Sequence, residues 1–171
     1  MFSKTSFLLL NMFIIFSTAS AQLTDLGEKK PATINGVEYG YIIKNEQTKT
    51  AKGEEYGRYE ITLYATNKSG CTKLYAERTA IFSYDEPSLL ATYNCTNANG
   101  KRLTAKSGNV KARDFNINVK VKEGDKEVSR VARAGFMFRN GETLKTNIIV
   151  LVPLNERPVI TCTLNSLPEL Q

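Results

Sequence analysis

The stretch FNINVKVKEGDK, residues 115–126, decides the fold class of this 171-residue chain. Apolar residues occupy every odd position from 115 to 121, and polar residues occupy every even position from 116 to 122. A period of two is typical of a β-strand, because successive side chains point to opposite faces. The turn residues Glu123-Gly124-Asp125-Lys126 follow directly. The stretch therefore predicts a strand with one apolar face that ends in a tight turn.

The same pattern recurs on both sides of this strand, and no stretch sustains the apolar spacing of a helix. Gly, Asn, Asp and Pro separate the apolar segments, while residues 44–57 are polar throughout and predict a connection. We therefore predict about eight or nine short strands in an antiparallel β-sandwich, with immunoglobulin-like topology as the first choice. Besides the strand at 115–122, strands are expected at residues 37–43, 59–65, 73–83, 89–96, 128–138, 144–152 and 159–164.

The N-terminus predicts export. Residues 1–21 combine an early Lys4, an apolar run from Phe7 to Phe16 and an Ala-Ser-Ala ending, which are the three parts of a secretory signal peptide. The apolar run is too short for a transmembrane helix, which needs about 20 residues. We expect cleavage before Gln22, a periplasmic or extracellular location, and no transmembrane span in the mature chain. Residues 22–35 are interpreted as a flexible lead-in, and residues 36–171 as a single β-sandwich domain of ordinary size.

The chain contains no His, which argues against most enzyme classes. Ser-His-Asp and Cys-His nucleophile pairs, His-containing zinc sites and His-based proton transfer are excluded. Adjacent acids such as Glu54-Glu55 fall in predicted loops, whereas a glycosidase needs two carboxylates that face each other. We expect no catalytic residue, no metal and no cofactor.

Three cysteines in an exported chain allow one disulfide, because disulfides persist in oxidising compartments. Cys71 and Cys95 lie on neighbouring predicted strands and are the favoured pair. Cys162 shares a face with Ile160 and Leu164, which suits a buried, inert thiol. A Cys95–Cys162 bridge and the absence of any bridge remain open alternatives.

The formal charge of +6 is unevenly distributed. Residues 101–139 hold eleven Lys and Arg against four Asp and Glu. Such a surface would attract an acidic envelope component or an acidic protein, although a solvated strand surface is the simpler interpretation. Nucleic acid is not expected, because no aromatic stacking platform accompanies the charge. The candidate residues for an anionic partner are Lys101, Arg102, Lys106, Lys111, Arg113, Lys120 and Lys122.

Five tyrosines cluster in the first predicted hairpin and have two interpretations. Tyr offers apolar area with a polar tip, so the cluster could form a carbohydrate- or protein-binding face. The alternative is that these side chains fill a half-buried sheet. The five are Tyr39, Tyr41, Tyr56, Tyr59 and Tyr64.

Three segments carry a resemblance to known proteins: GRYEITLYATNKSGCTKLY (57–75), YNCTNANGKRLTAKSG (93–108) and GFMFRNGETLKTNIIVLVPLNERP (135–158). Together they resemble small uncharacterised exported proteins of Gram-negative bacteria, some of which carry an automatic ABC-transporter permease label. More distantly, the late Asn-Gly-Glu-Thr turn and the strand ending in Pro are similar to bacterial immunoglobulin-like accessory domains. This resemblance implies a sandwich and contributes no catalytic residue.

These features favour a secreted or periplasmic, non-catalytic binding or structural module of the cell envelope. The alternative is an inhibitor or accessory factor of an envelope enzyme or transporter.

Overall fold

A computed structural model describes residues 23–76, 88–103, 108–165, 167 and 169–170. Within these ranges all regular structure is β-strand, and no helix there is long and apolar enough to span a membrane. The predicted signal peptide at residues 1–21 lies outside the described residues. The eleven strands are β1 (Leu23–Leu26), β2 (Ala32–Ile34), β3 (Val37–Ala51), β4 (Glu54–Asn67), β5 (Lys73–Tyr75), β6 (Leu89–Thr96), β7 (Gly108–Lys111), β8 (Arg113–Glu123), β9 (Lys126–Phe138), β10 (Thr143–Pro153) and β11 (Val159–Leu164).

The strands form three antiparallel sheets. The front sheet has the order β10-β4-β3-β2, the back sheet β1-β11-β6-β7, and the arm sheet β5-β9-β8. The predicted all-β, antiparallel, sandwich-like fold is confirmed, with more strands than the eight or nine expected. Immunoglobulin-like topology stays a prediction.

The core lies between the front and back sheets. Tyr41, Ile61 and Leu63 contribute from the front sheet, and Tyr93 and Ile160 from the back sheet. These residues alternate with outward-facing ones along each strand, so each sheet buries one face. The Tyr93 hydroxyl donates a hydrogen bond to the backbone oxygen of Tyr64 in the opposite sheet. A fully buried phenol thereby gains the partner that it needs.

The two sheets approach closely at Gly108, at the start of β7. A Cβ atom built there would lie 2.0 Å from Leu63 Cδ1 and 3.4 Å from Ile148 Cγ2. Leu63 is fully buried and cannot move into solvent. Glycine at this position therefore lets β7 pack against the front sheet.

A buried amide, Asn67, joins the end of β4 to two other parts of the chain. Its Nδ2 donates to the backbone oxygens of Cys71 (2.9 Å) and Phe138 (2.8 Å). Its Oδ1 accepts from the backbone N (3.0 Å) and the Oγ (2.6 Å) of Ser69. The side chain is thus fully hydrogen-bonded and ties the front sheet to the arm sheet.

Most of the arm sheet projects beyond the core as a hairpin of two strands, β8 and β9. β5 pairs with β9 only at residues 136–138, whereas β8 pairs with β9 from Arg113 to Glu123. Residues 116–133, here called the arm, have no third strand among the described residues. Most of their side chains are exposed, although Val119 and Ala132 are half-buried.

The structure differs from the prediction in two polar segments. Residues 22–35, interpreted as a flexible lead-in, contain β1 and β2, which pair with β11 and β3. These strands have three or four residues, too few to display a period. Residues 44–57, predicted as a connection, extend β3 and β4 as a hairpin that closes at Lys52-Gly53, both with positive φ. Backbone pairing holds this extension, so no apolar face is needed.

The remaining strand predictions lie close to the observed elements. Residues 89–96 and 159–164 are β6 and β11 as expected. Of the strand expected at 73–83, only Lys73–Tyr75 is observed as β5, and residues 77–83 lie outside the described ranges.

Candidate functional site

The outer face of the front sheet forms an open trough of about 800 Å³. The floor comes from the outward residues of β3, β4 and β10, whose inward neighbours are buried in the core. The outward residues that line the trough are Glu38, Ile42, Lys44, Glu60, Thr62, Tyr64, Thr66, Thr143, Lys145, Asn147 and Ile149.

The strand register arranges this floor in rows that run across three strands. Because directly paired residues share a face, each row has one residue from each strand. The three regular rows are Glu38–Thr66–Thr143, Gly40–Tyr64–Lys145 and Ile42–Thr62–Asn147. A fourth row is irregular, because Lys44 lies at the bulge of β3, beside Glu60 and Ile149.

Tyr64 lies across the place where Gly40 has no side chain. A Cβ atom built at Gly40 would come within 2.5 Å of the Tyr64 hydroxyl oxygen. The pKa of Tyr64 is raised, mainly by burial and then by the nearby Glu38 carboxylate. The glycine thus lets the tyrosine ring fold down onto β3, and the phenol stays neutral.

Hydrogen bonds between strands fix the polar side chains of the floor. Thr62 Oγ1 donates to Asn147 Oδ1 at 2.8 Å, and the hydroxyls of Thr66 and Thr143 are 2.9 Å apart. Hydroxyl and amide groups that are already oriented lose little freedom when a ligand binds. The floor therefore presents fixed donors and acceptors beside Ile42 and Ile149, which are 43% and 57% exposed.

The charges of the trough leave an excess of two cations. Glu38 is paired with Lys68, and Glu60 with Arg58. Within the part of the chain that the structure describes, neither Lys44 nor Lys145 has an ion-pair partner. An anionic group in the trough would meet these two free ammonium groups.

The basic residues singled out from sequence are not gathered on one surface. Lys101 and Arg102 lie in the turn after β6, Lys111 ends β7 and Arg113 begins β8. Lys120 and Lys122 lie on the arm, about 23 Å or more along β8 from Arg113. By the alternation of the strand, those two lysines face away from the side of Arg113. Lys106 lies outside the described residues.

Acidic neighbours also balance part of this charge. Arg113 pairs with Glu142, and Lys120 Nζ lies 3.1 Å from Glu127 Oε2. An anionic partner for the seven residues therefore remains a prediction.

The predicted Cys71–Cys95 disulfide is wrong, because all three cysteines are free. Cys71 is exposed in the loop before β5, whereas Cys95 is buried on β6 of the back sheet. Cys162 is also free and buried, as expected from the face that it shares with Ile160 and Leu164. Burial raises the pKa of Cys95 to about 11 and that of Cys162 to about 12, which keeps both thiols protonated and unreactive.

The tyrosine cluster is mainly structural. Tyr39, Tyr41 and Tyr59 are buried, and only Tyr64 of the five lines the trough. Burial raises the pKa of Tyr39 to about 12. The interpretation as a half-buried sheet is the better one for these three residues.

The chain matches no protein-family model, no curated protein and no solved structure. Among the described residues, no group of three or more Cys, Asp or Glu could hold a metal ion. The choice of the trough as the candidate site thus rests on its geometry alone. Sequence reasoning missed it, although polar residues at even positions of β4 from 60 to 66 were a visible signal of an outer face.

Proposed function

We propose that this chain is an exported, non-catalytic binding module of the cell envelope, and that its trough binds a short stretch of an anionic glycan. The observation that carries the proposal is the combination of oriented hydroxyl and amide groups with Lys44 and Lys145, which have no ion-pair partner among the described residues. The volume of about 800 Å³ falls in the range of small-molecule sites and suits a few sugar units.

The chemistry of the floor favours a sugar. Sugars carry many hydroxyl groups beside apolar C–H faces. Asn147 and Thr143 can exchange hydrogen bonds with hydroxyls, and Ile42 and Ile149 offer exposed apolar contact. The open shape of the trough leaves room for a chain to continue at either end.

The charge favours an anionic polymer over a neutral one. Because Glu38 and Glu60 are already paired, Lys44 and Lys145 determine the sign of the attraction. The proposed partner is therefore still acidic, as expected from sequence, but it binds Lys44 and Lys145 instead of the seven basic residues singled out there.

The position of the carboxylates supports binding without hydrolysis. Glu38 pairs in register with Thr66, which is six residues from Glu60 on β4. Six residues of a strand span about 20 Å, whereas glycosidase carboxylates lie about 5 to 9.5 Å apart. The two acids of the trough thus cannot act on one glycosidic bond.

Titration calorimetry of the purified mature chain tests the ligand class. The probes are oligogalacturonate as the anionic glycan, a dextran oligomer as the neutral glycan and polyglutamate as an anionic polymer without sugar. We expect binding to oligogalacturonate and at least tenfold weaker binding to the other two. Equal binding to polyglutamate would overturn the glycan assignment, and absence of binding to every probe would overturn the anionic-glycan proposal.

Two charge-reversal variants locate the site. Lys44→Glu/Lys145→Glu should weaken oligogalacturonate binding at least tenfold, because both free cations become acids. The matched control Lys101→Glu/Lys122→Glu makes the same charge change outside the trough and should bind within twofold of the wild type. The reverse outcome would place the anion site among the sequence-predicted basic residues and refute the trough.

Export is tested separately. The signal-peptide pattern predicts that a Gram-negative host releases a chain that begins at Gln22, which intact mass spectrometry of the periplasmic fraction measures. An uncleaved chain retained in the cytoplasm would contradict this part of the proposal.

A further inference from the structure

The outer edge of β8 is unusual among the sheet edges that the structure describes. The three described sheets end in β1, β7, β2, β10, β5 and β8. Four of these strands have only three or four residues, and short edges resist pairing with other chains. β10 has eleven residues but lies against β7. β8 also has eleven residues, and no described strand lies beside its outer edge.

The arm also exposes apolar side chains. Ile117 is 41% exposed, Val121 38% and Val128 36%, and all three lie on one face of the hairpin. A long edge with no described neighbour, beside an exposed apolar face, is a site where a further strand can add.

We propose that β8 pairs with β8 of a second copy of this chain, antiparallel and with Asn118 on the two-fold axis. The arms of two protomers would then form one continuous four-stranded sheet. A two-fold pair is isologous, so every contact away from the axis occurs twice. The residues that come to lie opposite each other are Arg113 and Glu123, Asp114 and Lys122, Phe115 and Val121, Asn116 and Lys120, Ile117 and Val119, and Asn118 with its own copy.

The sequence of β8 is self-complementary in this register. Apolar residues meet apolar residues on one face, and the two pairs nearest the strand ends join opposite charges. Asn118 is the midpoint of Arg113–Glu123, so all eleven residues of the strand find a partner.

Other registers are worse. Opposed residues must lie on the same face of the sheet, so their residue numbers differ by an even number. The nearest alternative registers therefore place Ile117 or Val119 on the two-fold axis. An axis at Ile117 places Arg113 opposite Val121, and an axis at Val119 places Phe115 opposite Glu123. Both lose the terminal Arg113–Glu123 and Asp114–Lys122 pairs, although the axis at Ile117 places Asp114 opposite Lys120 instead.

Of the four charged residues in these terminal pairs, Arg113 and Glu123 already have ion-pair partners in the single chain, Glu142 and Arg130, so Asp114 and Lys122 carry the charge argument. Lys122 has no ion-pair partner among the described residues, and Asp114 has only Arg133, at 3.7 Å. Pairing across the axis would give each of them an oppositely charged neighbour.

Sedimentation velocity over a concentration series tests the assembly on the mature chain. We expect a monomer–dimer equilibrium in the wild type. Asp114→Lys places two lysines opposite each other at both ends of the seam and should weaken the dimer at least tenfold. Adding Lys122→Asp restores opposite charges, so the double variant should recover the wild-type equilibrium. A wild type that stays monomeric up to several hundred micromolar would overturn the proposal.

Cysteine cross-linking tests the register, in a Cys71→Ser background that removes the exposed native thiol. Directly opposed residues of antiparallel strands have Cα atoms about 4.5 to 5.5 Å apart, within disulfide range. Asn118→Cys should therefore form a covalent dimer on mild oxidation. The matched control Asn116→Cys places its two copies four residues apart, about 13 Å, and should not cross-link. Equal cross-linking of both variants would refute the register, and dimers that survive Asp114→Lys would place the interface elsewhere.

This inference does not depend on the trough, because the arm and the trough share no residue. A failed glycan titration leaves the dimer test intact, and the reverse also holds.

Discussion

Replacing Asn67 by Ala should be among the most damaging single changes to the stability of this protein. The side chain makes four hydrogen bonds, and it is fully buried. Ala leaves the Phe138 and Cys71 carbonyls and the Ser69 amide without these partners. At about 1 kcal/mol for each hydrogen bond, with some replacement by water at the loop, the loss is about 3 kcal/mol. A domain of this size should then melt about 10 °C lower.

Urea unfolding followed by circular dichroism measures this loss. Asn99→Ala is the matched control, because Asn99 is exposed in the turn after β6 and its side chain makes none of the hydrogen bonds described above. The control should change the free energy of unfolding by less than about 0.5 kcal/mol. An Asn67→Ala variant as stable as the control would refute the role assigned to this amide.

Asn67→Asp separates hydrogen bonding from packing, because it keeps the shape and removes both donors. Its carboxylate would face two carbonyl oxygens, so the folded state raises the pKa of the introduced acid above its unfolded value. The penalty is complete above that folded pKa and decreases as pH falls through it. The stability gap between Asn67→Asp and the wild type should therefore narrow on acidification, and a gap independent of pH would contradict the assigned geometry.

Three further predictions follow from the core and the C-terminal segment. Gly108→Ala should lower the free energy of unfolding in urea by about 1 to 3 kcal/mol, because the new Cβ meets Leu63. Adding Leu63→Ala in the same chain should relieve part of that cost. If the effects of the two substitutions simply add, the contact is refuted. Iodoacetamide should modify only Cys71 of the native chain, and modification of all three cysteines before unfolding would contradict this. The folded state should also lose stability as pH rises above about 9. The reason is that the buried thiols of Cys95 and Cys162 have pKa values of about 11 and 12, against 9.0 for a free thiol. Glu169→Gln should lower the stability by about 1 kcal/mol, and by more than Lys73→Met does. The reason is that Glu169→Gln leaves the buried Lys73 ammonium without the carboxylate that it contacts at 3.0 Å. The opposite order in thermal unfolding would show that the ion pair matters less than the packing of the lysine stem.

The parts of the fold that could be predicted from sequence are those in which burial imposes a period. β6 and β11 each place one face in the core, and turn-forming residues border them, so their limits were predicted correctly. The extension of β3 and β4 over residues 44–57 could not be recognised, because both faces of that hairpin are largely polar and exposed. β1, β2 and β7 are too short to show any period.

The trough could not be predicted because no single segment contains it. The row Gly40–Tyr64–Lys145 combines three strands, and their juxtaposition depends on the order β10-β4-β3. The disulfide prediction failed for a related reason. Separation along the chain does not reveal that Cys71 lies in an exposed loop while Cys95 faces the core.

The arm presents a conflict between its sequence and its exposure. The odd positions from 115 to 121 are all apolar, which is the pattern of a strand with one buried face. In the single chain that face is largely open, and Ile117 and Val121 keep 41% and 38% of their surface exposed. The polar extension of β3 and β4 shows what a projecting hairpin looks like when neither face needs cover. Since β8 has an apolar face where that hairpin has none, its pattern fits a strand whose apolar side chains gain neighbours in an assembly. A second β8, paired edge to edge about Asn118, would place apolar side chains beside Phe115, Ile117 and Val121 and extend the apolar face across the seam.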